Sequence, residues 1–420
     1  MTDDLQTHVP RRLEALVHEG LRASRVVAVC GARQVGKSSL ARHFANESRP
    51  YVTLDDLGVL DRATRDPQGL IAGLPTHAIL DEVQRAPKLL LAIKSIVDQH
   101  ETRGRFLLTG SSNLLTLPSI SESLAGRMFV YELYPLAEAE IARTDGNMID
   151  ALFDSRTRWP NRPFDRRDFV ARLVRGGYPE AVRAENDRVR AMWFESYLLT
   201  MLQRDIRELA RIEDTVAMGR LLGTIAMRSG RILNATNLAS EAEITKTTLL
   251  RYLALLEQTY LVYRVSAWAG DPARRLSKAP KILANDTGLA AHQLGAGATR
   301  LLEDPNLLGG LTETFVGNEL RKHASWSDLR PTLLHYRSHE GAEVDFILET
   351  RSGERVAVEV KAAGTVGGSD FRGLLKLADD PKMRVRRGVL FYAGSTVIPA
   401  RENVHAVPIS LFWTSLAHLR

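Results

Sequence analysis

Val26-Val27-Ala28-Val29-Cys30-Gly31-Ala32-Arg33-Gln34-Val35-Gly36-Lys37-Ser38-Ser39 is the stretch from which the fold of the first third of this chain can be read. Its first five residues are continuously apolar rather than alternating, as in a strand buried on both faces of a parallel sheet. The next eight fill every fixed position of G-x-x-x-x-G-K-[ST], and a helical pattern follows. A strand before and a helix after is the context this motif requires. The glycines let the backbone wrap close to phosphate, and the loop N–H groups from Gly31 through Ala32, Arg33, Gln34, Val35 and Gly36 to Ser39 face an anion. Lys37 is expected to reach the β- and γ-phosphates of ATP, and Ser38 to set its hydroxyl on Mg²⁺. The competing reading, a glycine-rich turn before an ordinary helix, is disfavoured by the flanking elements.

Working outward, runs at 51–54, 78–81 and 105–109 repeat the buried-strand pattern, with helical patterns such as 87–99 between them. This alternation predicts a doubly wound α/β domain over residues 1–144. Ala78-Ile79-Leu80-Asp81-Glu82 supplies the second half of the site. An acid ending a buried strand needs a partner, and a metal held by Asp81 is the natural one. Glu82 is then placed to polarise the attacking water. Lys37 and Glu82 are thus the first catalytic candidates.

Phe106-Leu107-Leu108-Thr109-Gly110-Ser111-Ser112-Asn113 ends in a polar cluster, and its strand should lie beside the P-loop strand. Asn113, or one of the serines, is a candidate γ-phosphate sensor; a helix cap fits the same residues. Arg127, in Leu124-Ala125-Gly126-Arg127-Met128, is a candidate arginine finger supplied by a neighbouring subunit of a homo-oligomer, and equally reads as a surface arginine.

At 420 residues the chain is long for a single core, and one cysteine, Cys30, excludes an intramolecular disulfide framework and a cysteine-based zinc site. Its start is polar and acidic, and no apolar run approaches a membrane span, so no membrane partner and a cytoplasmic setting are expected. The net charge of +6 permits nucleic-acid binding without demanding it.

Residues 145–163 read as a linker, and 145–270 as a largely helical region. Within it, Asn237-Leu238-Ala239-Ser240, a turn at Glu243-Ile244-Thr245, a helix from Lys246 and an apolar end at Leu261–Val265 follow the order of a winged helix. Lys246, Thr247, Thr248 and Arg251 would then face DNA. A structural or protein-binding role fits that unit equally well.

In residues 271–420, Glu343-Val344-Asp345-Phe346-Ile347-Leu348 and Val356-Ala357-Val358-Glu359-Val360-Lys361 predict a hairpin, with Glu359 and Lys361 on one face. Asp345, Glu359 and Lys361 would converge as a Mg²⁺ site beside a lysine, with Glu319 of the preceding helix as a further carboxylate. A surface hairpin with cross-strand charge pairs is the alternative.

The first 140 residues resemble the AAA+ superfamily, in particular the AAA_14 ATPases, through the P-loop, Leu80-Asp81-Glu82-Val83-Gln84, Thr109-Gly110-Ser111-Ser112 and Leu124-Ala125-Gly126-Arg127. In that family a DUF4143 region follows, and Gly176-Gly177-Tyr178-Pro179-Glu180, Asn285-Asp286-Thr287-Gly288-Leu289 and Glu343-Val344-Asp345-Phe346 look like its landmarks. Glu319, Asp345, Glu359 and Lys361 also resemble the helix Glu, Asp and E-x-K positions of the PD-(D/E)XK nuclease fold, with Val344 standing where that motif has proline. The resemblance implies ATP hydrolysis with Mg²⁺ in 1–144, a helical lid and winged helix in 145–270, and a restriction-endonuclease-like α/β domain in 271–420. DNA is the implied partner. The other reading is a nucleotide-dependent switch whose tail binds DNA or protein without cutting.

Overall fold

Five short apolar runs form one all-parallel sheet: β1 (Val26–Cys30), β2 (Tyr51–Thr53), β3 (Ala78–Asp81), β4 (Phe106–Gly110) and β5 (Met128–Glu132), in the order β2-β3-β4-β1-β5. Every residue of β1, β3 and β4 is buried, which is why these strands read as continuous rather than alternating apolar runs. Helices α1 (Glu14–Ala23), α2 (Lys37–His43) and α3 (Leu89–Gln99) belong to the same compact unit, Met1–Leu136 with Gln258–Tyr260. The structure, a computed structural model, describes residues 9–110, 124–206, 214–271, 275, 278–338 and 342–417, without the side chains of 204 and 205.

The strands expected at 26–30, 51–54, 78–81 and 105–109 are all present within a residue or two. β5 is an addition. It is an edge strand, with only Tyr131 of its five residues buried, so its apolar signal is diluted in sequence. Because the sheet is parallel, the ends of β1, β3 and β4 share one edge, the place where ligands bind in such sheets.

The second unit comprises Ala137–Glu257 and Leu261–Arg420. Its helical part includes α4 (Asp187–Thr200), α5 (Thr215–Met227), α6 (Ala235–Glu241) and α7 (Lys246–Gln258), followed by antiparallel β6 (Val262–Val265) and β7 (Lys281–Ala284). Helices α8 (Thr287–Gln293) and α9 (Pro305–Ser325) come next. Then β8 (Thr332–Arg337), β9 (Glu343–Glu349), β10 (Arg355–Lys361), helix α10 (Arg372–Asp379), β11 (Val385–Tyr392), β12 (Ile398–Arg401) and β13 (Val404–Pro408) build a mixed sheet ordered β12-β13-β11-β10-β9-β8. β8, β9 and β10 run antiparallel, while β11 and β13 continue parallel to β10.

Two cores lie in this unit. One joins Phe315, Val316 and Leu320 of α9 to Phe346, Val356, Val358 and Phe391; the other joins Leu374 and Leu377 of α10 to Ile347, Ala357 and Leu390. The α9 core also holds Met148, Phe169 and Leu283. Residues 145–257 and 261–420, expected to divide into separate domains at 270/271, lie within one compact unit, and the β6–β7 pair spans the position of the expected divide. Among the described residues no helix is long and apolar enough to cross a membrane.

Candidate nucleotide site and the acidic cluster of the tail

The P-loop is shaped by three left-handed or otherwise positive-φ residues, Gly31 (+151°), Gln34 (+59°) and Gly36 (+97°). Gly31 is obligatory for a second reason: a Cβ there would stand 2.2 Å from the Leu133 carbonyl oxygen, just past β5. Gly36 opens α2, and Lys37 begins it. The Lys37 ammonium donates to the carbonyls of Gly31 (3.1 Å) and Ala32 (2.7 Å). Burial pushes its pKa down to about 8, against the opposing pull of Glu82, Cys30 and Asp81. Among the expected loop residues Ala32 and Val35 are buried, Arg33 is half-buried, and Gln34 and Ser39 are exposed.

Asp81 ends β3 with its side chain buried among hydroxyls. Ser38 Oγ donates to its Oδ1 at 3.0 Å, and Thr109 Oγ1 donates to the same oxygen. Tyr51 and Thr53 of β2 donate to Oδ2, the latter at 3.4 Å. The sheet order explains this convergence. β2 and β4 flank β3, with Thr53 the register partner of Asp81 and Thr109 following Leu108, the partner of Leu80. Burial, with the hydrogen bond and charge of Asp81 behind it, pushes the Tyr51 phenol up to about 12. Glu82 follows in the left-handed region (φ +59°), its N–H donating to Thr109 Oγ1 at 3.3 Å and its carboxylate accepting from Gln84 Nε2.

The structure thus brings Lys37, Ser38, Asp81 and Glu82 to one edge, as the motifs predict. Thr109, Tyr51 and Thr53 were missed as partners of Asp81, since only the sheet order makes them neighbours. Arg11 was missed too: it is buried and ties the loop down by donating to the carbonyls of Val35 (2.6 Å) and Tyr134 (2.7 Å). Asn113, with Ser111 and Ser112, lies outside the described residues. Arg127 precedes β5 at the amino end of the sheet, the edge opposite the P-loop, and pairs with Asp98 of α3. It therefore cannot serve its own nucleotide site.

On α7, Lys246, Thr247, Leu250 and Arg251 are exposed along one side. Thr248 is half-buried and engaged at the helix start, where its N–H and hydroxyl meet Thr245 Oγ1 at 3.2 and 2.9 Å.

In the tail, Asp345 and Glu359 do come together. Asp345 Oδ2 accepts from the Val360 N–H at 3.0 Å, and Lys361 Nζ lies 3.4 Å from Glu359 Oε1. Glu359 Oε2 is buried without a hydrogen-bond partner. Burial, then the Asp345 charge, raises the Glu359 carboxyl to about 8. Glu319 is not part of this cluster. It is buried elsewhere, accepting from the Glu138 N–H (3.0 Å) and pairing with Lys322 (2.9 Å). Glu313 takes the place expected for it. Six residues earlier on α9, it points about 120° away around the helix axis. The sequence carried the signal, an acid inside an apolar helix, at both positions. Glu313 is raised to about 8, chiefly by burial and then by Asp345. Between the two stands Lys281 of β7, also missed: its ammonium is 2.6 Å from Glu313 Oε1, 3.0 Å from Asp345 Oδ1 and 3.7 Å from Glu343.

Comparison with known proteins assigns these regions. A family described as an AAA domain, AAA_14, matches residues 23–142; two domains of unknown function, DUF8612 and DUF4143, match 166–300 and 308–412. The chain carries the AAA_14 and DUF4143 domain order, which together with the P-loop supports a P-loop ATPase of that architecture. The β2-β3-β4-β1-β5 sheet with its P-loop lies in the AAA_14 part, and the mixed sheet lies in the DUF4143 part. The stretches at 176–180 and 285–289, expected as landmarks of DUF4143, lie instead within the DUF8612 match, and only Glu343–Phe346 falls in the DUF4143 match.

Uncharacterized proteins of Mycobacterium tuberculosis and Mycobacterium bovis are each 29% identical over 408 residues, covering 96% of this chain and 85% of theirs. One of Haemophilus influenzae is 25% identical over 299 residues, covering 64% of this chain and 69% of its own. Among solved structures, the Walker-type ATPase of Pyrococcus abyssi is matched at 16% identity and a TM-score of 0.42, over 68% of this chain and 96% of that one. AMPPCP-bound DnaA from Aquifex aeolicus is matched at 15% and 0.26, over 58% and 86%.

Proposed function

We propose that this ATPase hydrolyses ATP with Mg²⁺ at the P-loop and couples turnover to DNA bound by α6, α7 and the β6–β7 pair, read as a winged helix, together with the tail. The observation that carries it is the 3.0 Å bond between Ser38 Oγ and Asp81 Oδ1, beside Lys37 and Glu82 on one sheet edge. Adjacent hydroxyl and carboxylate oxygens suit a hard divalent cation, and such an ion would neutralise charge on the phosphates. Lys37 would exchange its carbonyl partners for phosphate oxygens. Glu82, oriented by Gln84, would hold the attacking water. The net charge of +6 and the exposed Lys246, Thr247 and Arg251 support DNA as the partner.

Phosphate release and DNA anisotropy measured on the same preparations test this reading. Lys37→Ala is expected to lose nucleotide binding, and Glu82→Gln to keep binding while turnover stops. Replacing Lys246 and Arg251 with alanine should weaken DNA binding and flatten its salt dependence. Full turnover in Glu82→Gln would remove the hydrolytic assignment, and unchanged affinity in the α7 variant would remove the DNA assignment.

A second reading is a nucleotide-dependent switch whose restriction-endonuclease-like tail binds without cutting. Lys281 among the tail carboxylates favours it.

A further inference from the structure

The tail resembles PD-(D/E)XK nucleases in the residues Asp345, Glu359 and Lys361, and such a site would take a divalent cation on its carboxylates. The residues present do not fit that ion. The carboxylates that the sheet and α9 bring together, Glu313 and Asp345, are already bridged by the Lys281 ammonium at 2.6 and 3.0 Å. Lys281 is only 1% exposed, so its charge is spent inside the protein and not on solvent. Among the described residues, no group of three or more His, Cys, Asp and Glu side chains is arranged to hold a metal.

Lys281 is also held in place by its strand. β7 is paired with β6 along its length, with Lys281 opposite Val265. On its other side the Gly230 N–H donates to the Ile282 carbonyl (2.9 Å), and the Ile282 N–H donates to the Arg231 carbonyl (3.1 Å). Gly230 itself is shaped for the cluster: its φ is +87°, and a Cβ there would sit 2.9 Å from the Glu313 carboxyl carbon. A buried carboxylate pair needs a counter-charge, and removing one partner of such a group is costly. The chain supplies that charge itself, from a strand inside the 166–300 match to acids inside the 308–412 match.

We propose that Lys281 is a built-in counter-cation that takes the divalent metal's place between Glu313 and Asp345, making the tail a metal-independent module that does not cleave DNA. Metal-assisted hydrolysis needs a cation that polarises the phosphate and lowers the pKa of water. An ammonium fixed by two carboxylates does neither. This rests on the nuclease-like reading of the tail and not on the P-loop assignment. The Glu359 oxygen without a hydrogen-bond partner and the nearby Lys361 remain in the cluster for binding.

The test uses the full chain without nucleotide and reads Mn²⁺ binding by calorimetry, the Mn²⁺ dependence of Tm, and cutting of single-stranded, duplex and branched DNA. The native chain and Asp345→Asn are expected to bind Mn²⁺ alike and to cut nothing. Lys281→Met is expected to gain a site, seen as a Tm rise of about 3 °C at Mn²⁺ a hundred-fold over Kd. The added change Asp345→Asn should abolish that gain. A native Mn²⁺ site or metal-dependent cutting that Asp345→Asn removes would overturn the proposal, as would a folded Lys281→Met chain that gains no site. Should Lys281→Met fail to fold, the native chain against Asp345→Asn decides by itself. ATP turnover followed in parallel separates this outcome from failure of the nucleotide-site reading.

Discussion

At the scale of single residues, Asp81 is the centre of the candidate nucleotide site, and its four hydroxyl donors come from three separate stretches of the sequence. Thr109 is fully buried and both donates to Asp81 and accepts from Glu82 N. Thr109→Val keeps the shape and removes the hydroxyl, leaving a buried carboxylate short of a donor at a cost of about 1–3 kcal/mol. Denaturant unfolding should show that loss, and Thr109→Ser should recover most of it. Lys37 carries a pH prediction. Its pKa near 8 belongs to the nucleotide-free protein. Phosphate favours the charged form and so raises the pKa when bound. Affinity is therefore expected to be flat below about pH 8 and to fall by up to about tenfold per pH unit above it, with proton uptake on binding. Titrations of a fluorescent ATP analogue from about pH 7 to about pH 9.5 check this; a constant Kd would contradict it.

At the scale of elements, α8 shows how landmarks far apart in sequence become one junction. Asp286 caps α8 by accepting from Leu289 N (2.9 Å), and its other oxygen accepts from Gly177 N (2.7 Å). The two glycine-bearing stretches at 176–180 and 285–289 are thus a single structural contact. Gly288 lets α8 approach: a Cβ would stand 2.8 Å from Gly176 N and 2.8 Å from the Phe194 ring. Since one of these is backbone, relief requires the elements to part. Gly288→Ala is expected to cost about 1–3 kcal/mol and to lower Tm by several degrees, with the P-loop's nucleotide affinity unchanged. A variant as stable as the native chain in a thermal melt would refute the close approach. The same scale explains the misplaced acid of α9. Periodicity predicts a helix there, but two acids six residues apart face different neighbours, and only packing selects Glu313 over Glu319.

At the scale of the whole molecule, Arg127 poses the question of assembly. It lies at the sheet edge opposite its own P-loop, so a finger role requires a second copy of the chain. On that reading Arg127→Ala lowers turnover by about 10³-fold with nucleotide binding retained, and the specific ATPase rate of the native chain falls on dilution. A rate independent of both would assign Arg127 to its surface pair with Asp98 alone.

The sequence by itself determined the parts whose chemistry is local. The P-loop needs contiguous residues between a strand and a helix, and Asp81-Glu82 needs a strand end, so both were legible as motifs. Buried parallel strands announced themselves as unbroken apolar runs, and the β9–β10 hairpin of the tail by its apolar patterning. β5 and β12 were not, because half-exposed edge strands carry little pattern. Only the tertiary structure could decide which side chains meet across strands and helices. It set Tyr51, Thr53 and Thr109 around Asp81, tied Arg11 to the P-loop, replaced Glu319 by Glu313, and placed Lys281 among the tail acids. The physical reason is the same in each case. A buried charge takes whatever partner the packing brings within about 3 Å, and sequence separation carries no record of that distance.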